Sequence, residues 1–138
     1  MRKKSKGFTL IELLVVIGML AILAAVVLIA INPARQFAQA RNAARQSDTR
    51  AILDACWHYA VDNNGKIPTA LTTTPTDVGT SGLSLSTVLV PTYITDLPKD
   101  PDGGTAATTK YLASKDANGR VTVSASNAEL GVTISVTR

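Results

Sequence analysis

The sequence predicts an α+β protein in which a long N-terminal helix packs on a small C-terminal antiparallel sheet. Three observations lead to this fold class. Residues 8–31 form an apolar run, residues 34–62 repeat apolar side chains at helical spacing, and three stretches after residue 109 alternate in polarity. Helices bury every third or fourth side chain and half-buried strands bury every second one, so the two kinds of pattern indicate different elements.

Composition confines the membrane-compatible part of the chain to one segment. The 138 residues suit one small domain plus an anchor, and 46% of them are hydrophobic while only 17% are charged. No charge occurs over residues 13–31, and no second run of this kind follows. The composition therefore disfavours both a multi-span membrane protein and a fully soluble single domain. The single cysteine, Cys56, excludes an intramolecular disulfide.

The positive charge of the chain is also local. Four of the 14 basic residues precede Gly7, and after Gly7 the chain has 10 basic and 10 acidic residues. The pI of about 9.5 therefore comes from a short N-terminal segment. This charge distribution gives no indication of nucleic acid binding.

The apolar run is long enough to cross a membrane. Its 24 residues, 8–31, would form a helix of about 36 Å. A secretory signal peptide is an alternative, because an A-x-A pattern occurs at residues 38–40, but its apolar region is normally about 7–15 residues long. Glu12 lies near the start of the run, where it either sits at the membrane interface or meets a cation from another chain.

Residues 6–16, KGFTLIELLVV, resemble the N-terminal signature of type IV prepilins and pseudopilins. The resemblance implies that a prepilin peptidase cleaves the chain between Gly7 and Phe8 on the cytoplasmic side, after a leader that ends with Lys6 and Gly7. It also implies N-methylation of Phe8. Glu12 then becomes the fifth residue of the mature chain, which is the position of the assembly glutamate in this family.

The resemblance implies a pilin-like fold and a structural, non-enzymatic role. The segments expected are a leader (1–7), a transmembrane and assembly helix (8–31), an amphipathic helical half (32–65) and a globular head (66–138). The chain would be a single-pass precursor in the cytoplasmic membrane and then a subunit of an extracellular or periplasmic filament. Its partners would be copies of itself, the prepilin peptidase and the inner-membrane assembly machinery, with no cofactor.

Two other functions remain open. The chain is either a membrane-anchored extracytoplasmic binding domain that never polymerises, or a secreted domain released by a conventional signal peptidase. The first residue of the mature protein separates the three hypotheses. It would be Phe8 for a pilin, Met1 for an anchored domain and a residue near Arg41 for a secreted one.

Prolines and glycines predict where the helical segment changes. Many pilins carry a proline inside the apolar run, whereas the first proline here is Pro33, which either starts a new helix or kinks an existing one. Any local melting during assembly is expected elsewhere, near Gly18. The helical pattern stops at residues 63–65, NNG. An unbroken helix over residues 8–62 would be about 80 Å long.

The second half of this helical segment has a predicted apolar face. Small side chains on that face would allow a sheet or helix to approach closely. Its members are Phe37, Ala40, Ala44, Ala51, Ala55 and Tyr59, widened by Ile52, Leu53, Cys56 and Ala60. Arg45 with Asp48, and Arg50 with Asp54, have the spacing of ion pairs on a solvated side.

Beyond Pro68 the pattern changes to loops and short strands. Residues 69–82 are predicted as a loop and 83–90 as a short helix that Pro91 ends. A turn-rich segment over residues 97–108 precedes the strands. The alternating stretches are residues 110–114, 120–126 and 131–137, and Asn118-Gly119 predicts a hairpin turn between the first two.

Two groups of side chains resemble reactive or metal sites. Cys56 and His58 are two residues apart on the predicted helix and so point to different sides, which predicts packing roles rather than a catalytic dyad. Asp100, Asp102 and Asp116 are weak candidates for oxygen ligands of Ca²⁺, although their spacing is not that of an EF-hand. No enzyme motif or single-strand nucleic-acid binding pattern occurs.

Overall fold

A computed structural model describes residues 7–138 and confirms the α+β class. Its elements, in chain order, are α1 (Leu10–Ile31), α2 (Pro33–Asp62), β1 (Thr76–Asp77), α3 (Ser86–Leu89), β2 (Tyr111–Lys115), β3 (Val121–Ala125) and β4 (Ser135–Thr137). The chain divides into two compact units, one ending at Gln36 and the other spanning Phe37–Arg138. We call the second unit the head.

The first unit contains α1, a helix that is apolar on all sides. None of its 22 residues is buried, and its length and composition are sufficient for it to cross a membrane. A helix whose whole circumference is apolar is stable only in lipid or among other apolar helices. This requirement applies to α1 whatever the role of the protein.

A break at Asn32 separates α1 from α2. Asn32 has a left-handed backbone (φ 45°), which ends α1, and Pro33 occupies the first position of α2, where its missing N–H is not needed. The backbone N–H of Arg35 donates to Asn32 Oδ1 at 3.3 Å. Asn32 therefore both ends one helix and caps the next, so the segment is two helices instead of one unbroken rod.

The buried face of α2 differs from the predicted one in its first half. Phe37 is 65% exposed, and Ala40 and Ala44 are also exposed. The buried side chains are Ala38, Asn42, Arg45, Thr49, Ile52, Leu53, Ala55, Cys56 and Ala60. The prediction failed here because it treated Arg45 as a surface residue. Only from Ile52 onward is the buried face apolar, and there the predicted residues are confirmed.

The head contains a four-stranded antiparallel sheet in the order β1-β2-β3-β4. The three predicted strands occur as β2, shifted by one residue, β3, shorter by one residue at each end, and β4, which covers only the last three of seven predicted residues. The short helix occurs as α3, which covers four of the eight residues predicted. The β2–β3 hairpin turns at Gly119, whose φ of 82° disfavours other residues. Strand β1 was missed, because its two residues lie in the segment predicted as a loop.

The hydrophobic core of the head lies between α2 and one face of the sheet. Strand β3 alternates buried and half-buried side chains, as a strand with one covered face should. The core side chains of the two layers include Ile52, Leu53 and Cys56 from α2, and Tyr111, Ala113, Val121 and Val123 from the sheet. The head is thus held together by a two-layer packing of helix on sheet.

Candidate functional site

The predicted processing site lies in an exposed segment without regular secondary structure. Gly7 and Phe8 precede α1, and Phe8 is 90% exposed. Within residues 7–138, and apart from its chain neighbour, no heavy atom lies within 4 Å of the position that a Cβ on Gly7 would occupy. The peptide bond between Gly7 and Phe8 is therefore open to a protease. Residues 1–6 of the predicted leader, Lys6 among them, lie outside the described residues.

The Glu12 carboxylate folds back onto the start of α1. Its Oε2 accepts hydrogen bonds from the backbone N–H and the hydroxyl of Thr9, both at 2.8 Å. In return, the N–H of Glu12 donates to Thr9 Oγ1 at 3.2 Å. This reciprocal arrangement is a capping box, which satisfies two backbone donors at the helix start. It fixes where α1 begins and holds Glu12 beside the predicted cleavage site.

Glu12 is the charged member of an otherwise apolar surface. A shallow groove along this end of α1 is lined by Phe8, Ile11, Glu12, Val15 and Val16. The sequence interpretation identified Glu12 but overlooked its partner Thr9. The signal was present, since a threonine three residues before a glutamate, followed by an apolar run, is the sequence pattern of a capping box.

A second polar cluster lies in the head, where α2 meets two distant segments. The Arg45 guanidinium donates to both carboxylate oxygens of Asp100, from Nε at 2.7 Å and from Nη2 at 2.9 Å. The remaining guanidinium nitrogen, Nη1, donates to Glu129 Oε2 at 2.7 Å and to Asn42 Oδ1 at 3.0 Å. The side chains of Arg45 and Asp100 are fully buried. Arg41 completes the cluster with two hydrogen bonds to Glu129.

The cluster corrects the surface ion pair expected between Arg45 and Asp48. Arg45 faces the interior, and Asp48 accepts a hydrogen bond from the Tyr111 hydroxyl at 2.6 Å. Burial and this hydrogen bond to a carboxylate raise the pKa of Tyr111. The two acidic partners of Arg45, Asp100 and Glu129, are 55 and 84 residues away in the chain, so no local spacing pattern predicts these ion pairs.

The charges of the cluster fix the ionisation of its two acids. Hydrogen bonds from Arg41 and Arg45 lower the pKa of Glu129 to about 2. For Asp100, burial alone would raise the pKa, but hydrogen bonds from Arg45 and from the Asp102 N–H lower it overall. Both carboxylates therefore stay ionised at neutral pH and balance the two guanidinium groups.

We expect the head to lose stability in acid through this cluster. The pKa of Glu129 is about 2 in the folded head and 4.5 ordinarily, so its contribution is complete above pH 4.5 and is lost as the pH falls toward 2. Thermal unfolding followed at pH 7, 4 and 3 should show a smaller acid-induced drop in Tm for Glu129→Gln than for the unchanged chain. Equal drops in both proteins would contradict this assignment.

The three weak calcium candidates are not brought together. The Asp100 carboxylate forms an ion pair with Arg45 and also accepts a hydrogen bond from the N–H of Asp102 at 2.8 Å. Asp116 lies at the β2–β3 turn and pairs with Arg120 at 2.7 Å. Within residues 7–138, no group of three or more His, Cys, Asp or Glu side chains is placed to hold a metal ion.

Cys56 and His58 lie on different sides of α2. Cys56 is fully buried in the core, and His58 is exposed. Burial raises the pKa of the Cys56 thiol to about 12, so the reactive thiolate is scarce at neutral pH. The geometry agrees with the predicted packing role and not with a catalytic dyad.

The buried thiol gives a direct measure of head unfolding. We expect Cys56 to resist a maleimide or disulfide reagent at pH 8 in the native chain, and to react within minutes in denaturant, because its pKa of about 12 and its burial both disappear on unfolding. Mass spectrometry after timed labelling measures this. Rapid labelling of the native chain would show that the core around Cys56 is open.

Comparison with known families identifies the N-terminal segment. Residues 2–28 match a family model described as a prokaryotic N-terminal methylation motif, which is the signature of type IV pilins and pseudopilins. The match spans the predicted cleavage site and most of α1 and leaves the head unassigned. Neither curated proteins nor solved structures give a significant match to the chain.

Proposed function

We propose that this chain, which carries a prokaryotic N-terminal methylation motif, is the precursor of a structural subunit of a type IV pilus-like filament. A prepilin peptidase cleaves it after Gly7, the new N-terminus at Phe8 is methylated, and the mature chains polymerise through α1. The observation that carries the proposal is an exposed Gly7-Phe8 junction directly before a helix that is apolar on all sides.

The properties of α1 suit a helix that lies in lipid before assembly and packs within a polymer afterwards. Before assembly the helix spans the cytoplasmic membrane, and afterwards it packs against α1 of other copies. Both environments remove its exposed apolar side chains from water, at a gain of about 25 cal/mol for each Å² covered. The mature chain has one charged residue inside α1, Glu12. Inner-membrane assembly proteins would supply the force that extracts the helix.

The head supplies the part of the subunit that faces water. Its core is complete without α1, since all the core side chains belong to residues after Phe37. The same observation suits the alternative function, a membrane-anchored binding domain that does not polymerise. Electron microscopy of material sheared from cells separates the two, because only the first function yields fibres that contain this chain.

Replacing Gly7 with leucine should block processing. The exposed glycine allows a peptidase to approach the backbone closely, and a bulky side chain removes that access. The unchanged protein should have the intact mass of residues 8–138 plus one methyl group, whereas the variant should keep residues 1–7 and lack the methyl group. Normal trimming of the Gly7→Leu chain would show that the cleavage site is assigned to the wrong bond.

A matched control is replacement of Gly18 with leucine. Gly18 is also exposed and without neighbouring atoms, but it lies inside α1, away from the predicted bond. The control chain should be cleaved and methylated normally. A processing defect in both variants would point to impaired membrane insertion and would contradict a specific role of Gly7.

A further inference from the structure

Strand β4 forms an open edge of the sheet in the head. It pairs with β3 on one side, and no strand of the described chain lies on its other side. Val121 and Arg138 exchange both backbone hydrogen bonds, at 2.8 and 3.0 Å, and the N–H of Ala125 donates to the Ile134 carbonyl at 3.0 Å. Every second residue of the segment 134–138 therefore bonds to β3.

The intervening residues direct their backbone groups outward. In an antiparallel pair the hydrogen-bonding residues alternate, so the N–H and C=O groups of Ser135 and Thr137 point away from β3. Continuing the same alternation beyond β4, we infer the same direction for Thr133. All three residues are exposed. A regular row of backbone donors and acceptors is therefore available at this edge, and such a row is complementary to another extended strand.

Strand β4 itself carries none of the charges or prolines that usually protect an edge against strand pairing. Residues 131–137, GVTISVT, contain no charge and no proline, and five of the seven are Val, Ile or Thr, the branched residues that strands favour; the first charge along this edge is Arg138. The opposite edge strand, β1, differs in that one of its two residues is the charged Asp77, whereas the three residues of β4 are uncharged. Edges that remain unpaired in soluble proteins normally carry charges, prolines or bulges.

We propose that this edge binds β4 of a second copy of the chain in antiparallel orientation, with Ser135 opposite Ser135. This register is the one that uses all three outward residues of both copies, because Thr133 of each copy lies opposite Thr137 of the other. It forms about six backbone hydrogen bonds. Ile134 then lies opposite Val136, so apolar side chains meet on the face that carries the core.

The side chains at the edge support a second copy over an unrelated strand. The sequence around Ser135 is nearly symmetric, with Thr133 and Thr137 two residues away on either side and Ile134 and Val136 next to it. Cross-strand Thr–Thr pairs and pairs of branched apolar residues are both favourable in antiparallel sheets. A two-fold contact requires a self-complementary surface of this kind.

The contact between two isolated heads is small, so its occupancy depends on how closely the copies are held together. A strand pair of this length buries less than the roughly 1,200 Å² typical of a stable interface. Copies confined to one membrane raise the effective concentration of the heads and so the occupancy of the contact. The pairing itself does not depend on the proposed filament role, because it uses residues of the head alone.

Disulfide trapping in the full chain tests the pairing. Residues directly opposite each other have Cβ atoms about 4.5–5.5 Å apart, which is close to disulfide geometry. We expect Ser135→Cys, purified in detergent and mildly oxidised, to give about tenfold more covalent dimer than Thr73→Cys, whose exposed threonine lies in the loop before β1. Native Cys56 is buried in both chains and contributes equally.

A mixing experiment tests the register. The Thr133→Cys and Thr137→Cys chains should each give little dimer alone, because each cysteine is about 13 Å from its copy in the partner. An equimolar mixture should give the heterodimer, distinguished by a small tag on one chain. Thermal unfolding of each variant shows that the head is intact.

Three results would overturn the proposal. They are a yield of Ser135→Cys dimer no higher than that of Thr73→Cys, a mixture of the other two variants that gives no heterodimer, and a crosslinked product whose mass fits a different protein. The Thr73→Cys control chain contains the same α1. Association through that helix would therefore raise the dimer yield of both variants equally and could not produce the expected difference between them.

Discussion

Replacing Glu12 with leucine is expected to cut the filament yield by about tenfold or more while membrane insertion and cleavage after Gly7 continue. The proposed cleavage would create an α-amine at Phe8, a group that is normally protonated at neutral pH. A carboxylate in an apolar surface requires a partner, and in a filament each Glu12 can neutralise the Phe8 amine of a neighbouring subunit. The leucine variant leaves that amine unpaired among apolar helices. The measurement is the amount of sheared filament relative to the amount of subunit in the membrane fraction.

A second substitution, Glu12→Gln, separates the charge of Glu12 from its role in capping α1. Glu12 also caps α1 through Thr9, and glutamine at the same position keeps this capping box but removes the charge. If intersubunit charge pairing controls assembly, Glu12→Gln fails as Glu12→Leu does, whereas Thr9→Ala, which weakens the cap and keeps the charge, still assembles. Glu12→Asp should be intermediate because its carboxylate reaches less far.

Two outcomes would contradict the role proposed for Glu12. Filaments at the unmodified level from Glu12→Leu would make it an ordinary interfacial residue. Normal assembly of Glu12→Gln together with failure of Thr9→Ala would assign the effect to the helix cap. In either case the mass of the mature chain still tests the cleavage proposal independently.

Replacing Arg45 with methionine is expected to destabilise the head by about 3–5 kcal/mol, because it leaves the buried Asp100 carboxylate without its cation. For a head of this size the loss corresponds to a fall in Tm of at least about 10 °C. Thermal or urea unfolding followed by circular dichroism measures it. Methionine is chosen because its length is similar to that of the arginine stem, so the loss of packing is small.

The exposed pair of Arg120 with Asp116 provides a matched control. Its side chains are 64% and 36% exposed, whereas Arg45 and Asp100 are fully buried. Arg120→Met should therefore change stability by less than about 1 kcal/mol. Combining Arg45→Met with Asp100→Asn should recover part of the loss, since the variant carboxamide is neutral. Equal effects of the two arginine substitutions would show that burial of Arg45 does not determine its contribution.

The sequence by itself determined α1, the sheet hairpin and the N-terminal motif. Each is a local property of the chain. The residues of α1 are apolar in every direction, so no choice of face was needed, and Asn118-Gly119 specifies a tight turn whatever surrounds it. Gly7, Phe8 and Glu12 are recognised from their spacing before the apolar run. Thr9 belonged to the same local pattern and was within reach of the same reasoning.

The tertiary structure alone decided which face of α2 is buried in its first half. Arg45 and Asn42 are polar and would be assigned to solvent by any pattern based on hydrophobicity, yet they are buried because Asp100 and Glu129 approach them from distant segments. Strand β1 is similar, since two residues become a strand only when β2 lies beside them. Long-range pairing satisfies polar groups that the local sequence leaves unpaired. The stabilisation that such pairing provides cannot be inferred from any short window of the sequence.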